Sequence, residues 1–215
     1  RSTLFPYTTL FRSGRRVTEA LLSSLFLDDL KAGTTWIVKL SNIDYMFKLA
    51  KRGDSLMHIA THFANLIKVS ETIMVRKRAG RRLVELADSM PREQLNELCI
   101  ELFNGLELGD YQFIKFIPGY LGQLMLHLPD EELDEMIAGL ETLLNTGNDK
   151  SAAASLNTVA VLLENYDNVS PDSSSTEEHK KKLLGLIVKF ISHYKTSISR
   201  RRCACSDCAY WEAER

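Results

Sequence analysis

"MPREQLNELCIELFNGLELGDYQ", residues 90–112, and "LPDEELDEMIAGLETLLNTGNDK", residues 128–150, can be laid on each other without a gap. At this spacing of 38, Pro91 falls on Pro129, Glu93 on Glu131, Leu95 on Leu133 and Glu97 on Glu135. Leu98 meets Met136, Leu102 meets Leu140, Leu106 meets Leu144, and Gly109 meets Gly147. The register continues through Leu121 with Val159 and Leu124 with Leu162. Apolar residues at i, i+3, i+4, i+7 and i+8 give a helix one buried stripe. A proline suits the first turn of such a helix, where an N–H has no partner anyway. Gly109-Asp110 and Gly147-Asn148-Asp149 each supply a helix stop followed by an N-cap candidate.

Working outward, the pattern recurs one unit earlier at a spacing of 39. There Leu56, Ile59, Ala60, Phe63, Ala64 and Ile67 answer to Leu95, Leu98, Cys99, Leu102, Phe103 and Leu106. A fainter copy precedes it, with Leu21, Leu22, Leu25 and Phe26 opening a helix that breaks at Lys31-Ala32-Gly33. Two helices of this length do not bury their stripes alone, so neighbouring pairs must share one core.

Antiparallel helix pairs with a period near 38 and a proline opening the first helix resemble HEAT-type repeats over roughly residues 17–166. The resemblance implies an all-α fold: a right-handed α-solenoid of stacked antiparallel pairs, HEAT/armadillo-like, with about four pairs and one extra helix. The Asp and Arg of the HEAT consensus are only loosely matched. The function the resemblance implies is non-catalytic: a scaffold presenting its second helices to a protein partner. Two alternatives remain. "FIPGYLGQLMLHLPDEELDEMI" resembles helical regions beside cytidylyltransferase-like domains of large bacterial enzymes, which would make this the repeat region of a larger protein. HEAT-like alkylpurine DNA glycosylases suggest a nucleic-acid-binding module instead.

"TLFPYTTLFRS", residues 3–13, resembles one translated frame of a widely used short-read sequencing adapter. Residues 1–13 are therefore expected to be an artefactual or disordered leader on a fragment of a longer protein. The helical array is expected over 14–166, a linker over the Asp-, Ser- and Pro-rich 167–176, a final helix over 177–199 and a disordered or artefactual tail over 200–215. The stripe of that final helix reads as Leu183, Leu184, Ile187, Val188 and Ile191.

Of 215 residues, 45% are hydrophobic and 26% charged, with a net charge of −1, so no whole-molecule field draws the chain to nucleic acid or membrane. No apolar run reaches the length that spans a bilayer. Four cysteines without a disulfide pattern point to a reducing, cytoplasmic setting. No phosphate loop, nucleophile elbow or paired carboxylates occur, and no cofactor is implied.

"RKRAGRR" places Arg76, Lys77, Arg78, Arg81 and Arg82 on one second helix, with Lys115 at the position equivalent to Lys77 in the next unit. These residues form a candidate contact for phosphates or an acidic partner; the competing reading is a solvated face balanced by Glu71, Glu85 and Asp88. His58 and His62, four apart, reach one side of a helix but lack a third ligand. Cys203, Cys205 and Cys208 have a C-x-C-x-x-C spacing suited to zinc or an iron–sulfur cluster, unless this tail is frame-shifted sequence.

Overall fold

The computed structural model describes the backbone of residues 14–107, 114–146, 148–169 and 174–204, and side chains over 19–107, 114–146, 148–166 and 177–192. The presumed leader, 1–13, lies outside the described residues. In chain order the helices are α1 (Gly14–Leu30), α2 (Trp36–Ala50), α3 (Leu56–Val69), α4 (Ile73–Leu86) and α5 (Arg92–Glu107). They continue as α6 (Ile117–Met125), α7 (Asp130–Thr146), α8 (Asp149–Val169) and α9 (Ser174–Ala204). The fold is all-α, and no strand occurs among the described residues.

Local signals set the boundaries. Gly53, with φ +85°, sits just past the end of α2, where its N–H bonds to the Ala50 carbonyl and the Asp54 N–H reaches back to Leu49. That pair of bonds closes the helix in a Schellman turn and needs the left-handed backbone that glycine tolerates. Pro91 and Pro129 stand immediately before α5 and α7, their carbonyls accepting the first helical bonds from Leu95 and Leu133. Asn148 caps α8: its Oδ1 accepts from the N–H groups of Lys150 and Ser151 at 3.0 and 2.9 Å.

The chain forms two compact units, Arg1–Leu102 and Phe103–Arg215, whose boundary falls within α5. In the first, α2 packs against α1, α3 and α4, and α3 packs along α4. Its core holds Ile43, Met46, Ile59, Phe63, Ile67, Leu83 and Leu98, all fully buried. In the second, α6 and α7 pack on α8, and α9 lies against both α7 and α8. Lys182 meets Asp134 and Lys189 meets Glu141, each pair 48 residues apart, so α9 runs parallel to α7. Leu95 and Leu133, the positions that anchor the repeat alignment, are both buried.

Two features differ from expectation. The segment 167–176 was expected to be a linker, yet α8 continues to Val169 and α9 already begins at Ser174. Asp and Asn are tolerated in a last helical turn and Ser at a first one, so composition alone overstated the break. The second difference lies in α9, where Leu183 and Leu186 are buried while Leu184, Val188 and Ile191 face solvent.

Close packing in the second unit depends on missing side chains. A Cβ on Gly122 of α6 would lie 2.8 Å from Val161 Cγ1 and 3.1 Å from the Thr158 carbonyl of α8. Alanine in a helix interior ordinarily gains about 0.5–1 kcal/mol over glycine. Here the β-branched and backbone neighbours yield little, so Gly122→Ala should lower the urea midpoint. Gly33, with open space around an added Cβ, serves as the comparison site outside the core.

Candidate functional site

The five basic residues of 76–82 fall on α4, but the fold gives them three different environments. Arg76 was expected on the surface and is instead 2% exposed, its Nε donating to the Ser70 carbonyl at the end of α3. It ties the two helices of a pair together and so leaves the candidate patch. Arg78 and Arg82 are half-buried and converge on Asp44 of α2, Arg78 Nη1 at 2.7 Å from Oδ2 and Arg82 Nη2 at 2.9 Å from Oδ1. Arg82 also donates through Nη1 to Glu85 Oε2 at 2.7 Å and lies over the Phe47 ring, 4.4 Å from its centroid. Only Lys77 and Arg81 among the five are fully on the surface.

This arrangement consumes much of the positive field. Burial works against the Arg82 charge, but the hydrogen bonds and charges of Glu85 and Asp44 outweigh it and raise its pKa. Planar guanidinium over an aromatic face, with a carboxylate at its edge, suits arginine better than lysine. No motif around Arg82 marks Asp44, although it stands 38 residues before it, one repeat period away. The outward face of α4 then combines Lys77 and Arg81 with exposed Ile73 and Met74.

Lys115 belongs to the second unit and occupies the turn before α6, not the helix itself. Its Nζ lies 5.1 Å from the centroid of the Phe116 ring.

His58 and His62 part company. His58 is exposed, whereas His62 is buried, stacked on Phe26 at 4.2 Å with Nε2 3.2 Å from Asp29 Oδ2. Asn42 Nδ2 donates to the other oxygen of Asp29 at 3.0 Å. The result is a polar lock joining α1, α2 and α3, not a metal site. Of the three tail cysteines, Cys203 ends within α9 without a described side chain, and Cys205 and Cys208 lie outside the described residues. No group of metal-ligating side chains occurs among the described residues.

A second polar lock joins α7, α8 and α9. Tyr166 Oη is 2.7 Å from His179 Nδ1, and His179 Nε2 is 3.2 Å from Asp134 Oδ1. Burial, reinforced by Asp130 and Asp134, pushes the Tyr166 phenol up to about 12. Its hydroxyl is therefore protonated at physiological pH and shares a hydrogen bond with Nδ1, while Nε2–H donates to Asp134. Lys182 Nζ, 2.9 Å from Asp134, lowers that carboxyl's pKa, aided by nearby His179 and opposed by desolvation. Tyr166 and His179 are buried among the packed faces of α7, α8 and α9, so this cluster reads as structural.

Searches against family profiles, curated proteins and solved structures find no match to this chain.

Because the folded state depresses the Asp134 pKa below its ordinary 3.8, its contribution is complete above about pH 4 and vanishes as pH falls through the folded value. Asp134→Asn should therefore flatten the acid side of a thermal-midpoint-versus-pH curve below about pH 4. An unchanged acid limb would mean that the Lys182 contact does not form in solution.

Proposed function

We propose that this chain is a HEAT-like right-handed α-solenoid that acts as a non-catalytic scaffold, binding an acidic protein segment along the outward face of α4. The arrayed architecture is supported by the parallel course of α7 and α9 and by the link between Asp44 and Arg82, one period apart. The observation that carries the binding reading is the composition of the α4 face, where Ile73 and Met74 are exposed beside Lys77 and Arg81. Aliphatic and cationic side chains together match a peptide carrying both apolar residues and carboxylates. A phosphate-binding face works by neutralising several backbone charges. Here Arg76 is buried, and Arg78 and Arg82 are committed to Asp44, which favours protein over nucleic acid.

The test compares a fluorescent peptide of alternating Glu and Leu blocks with a short DNA duplex, each titrated at low and moderate salt. The peptide is expected to bind, and joint Lys77→Glu and Arg81→Glu substitution should weaken it by about tenfold. Tighter binding of the duplex, falling steeply with salt and strengthened by Asp44→Asn, would overturn the protein reading in favour of nucleic acid.

A further inference from the structure

We infer that α9 is a hinged strap: its first half is locked onto α7 and α8, and its second half, beyond Gly185, swings off α7 and uncovers Leu144 and Asn145. The inward face of α9 runs through positions 179, 183, 186 and 190, whose spacing of four, three and four residues keeps them on one side of a helix. Burial fades along that side. His179 and Leu183 are 3% and 0% exposed, Leu186 is 8% exposed, and Phe190 is only half-buried. In α7, which runs parallel to α9, the stripe from Leu133 to Leu143 is buried throughout.

Polar contacts divide at the same place. Before residue 185, His179 meets both Tyr166 of α8 and Asp134 of α7, and Lys182 donates to the two oxygens of Asp134 at 2.9 and 3.1 Å. After it, Lys189 meets Glu141 of α7 at 2.7 Å, with side chains 60% and 42% exposed. An ion pair so open to water holds weakly and is screened by salt. Packing beneath that pair is incomplete, because a small cleft between α7 and α9 is lined by Glu141, Leu144, Asn145, Leu186, Lys189 and Phe190. Gly185 stands between the two halves. An added Cβ there meets nothing within 4 Å, whereas one on Gly122 would collide with Val161. Packing therefore does not require the glycine at 185, and its effect is to loosen the backbone in mid-helix.

The strap lies in the second unit and does not depend on the α4 reading. Its test sets one thiol on each side of the hinge in the full chain, Leu183→Cys in one variant and Leu186→Cys in another. Alkylation is followed by mass spectrometry on the peptide that carries each thiol, so the native cysteines do not interfere. The thiol at 186 should react about tenfold faster than the one at 183. Adding Gly185→Ala should slow the reaction at 186 by about two- to fivefold and leave 183 unchanged. Glu141→Gln, or higher salt, should quicken it at 186 alone. Thermal midpoints report that the variants fold, and Phe190→Cys replaces Leu186→Cys should the latter not fold. Equal rates on the two sides of the hinge, or rates at 186 that neither Gly185→Ala nor Glu141→Gln moves, would overturn the proposal. A shift of both sites together would also overturn it, since α9 would then leave as one rigid helix.

Discussion

Helices of 14 residues, the length of both α3 and α4, are marginal in water when isolated. Their stability must come from covering one another's apolar stripe, and each compact unit achieves this by laying one helix against several neighbours. α2 does so in the first unit through Ile43, Met46 and Leu49, and α8 in the second through Val159 and Leu162. Close approach follows from the same need. Glycine at 122 brings α6 onto α8, and glycine at 139 leaves room for the Phe103 ring, 3.0 Å from where a Cβ would stand.

Polar groups enter these cores only with partners. His62 with Asp29 and Asn42 links α1, α2 and α3, and Tyr166 with His179 and Asp134 links α7, α8 and α9. Each lock satisfies buried donors and acceptors whose desolvation would otherwise be costly. Each also discriminates between registers, because sliding any one helix by a residue would strand the others' polar atoms. Ser151 Oγ, donating to the Leu106 carbonyl near the end of α5, settles one of that helix's unmatched C-terminal acceptors in the same way.

The repeat stripe was legible in the sequence because helical period and burial coincide: Leu95, Leu102, Leu133 and Leu140 all lie in the core. The helix starts were legible too, since proline and asparagine act through local backbone chemistry at 91, 129 and 148. What stayed hidden was contact across helices. Nothing near Arg82 announces Asp44, and nothing near His62 announces Asp29, 33 residues away. The period of 38 was the one usable signal for the first pair, because Asp44 and Arg82 stand that distance apart on α2 and α4, which pack together. The basic run therefore overstated the available charge, hiding a buried Arg76 and two arginines already neutralised. Periodicity also gave α9 a single stripe where the fold divides it into a covered and an uncovered sector, since spacing reports apolar faces and not whether a neighbour exists.

If stripe burial rather than helix length holds the molecule together, native-state hydrogen exchange resolved along the chain reads it most directly. The slowest amides should lie in α3 and α4 of the first unit and in α7 and α8 of the second. α9, with 31 residues the longest described helix but covered on one side only by the described residues, should open earlier than these shorter ones. Slowest exchange in α9, or protection that simply follows helix length, would contradict the account.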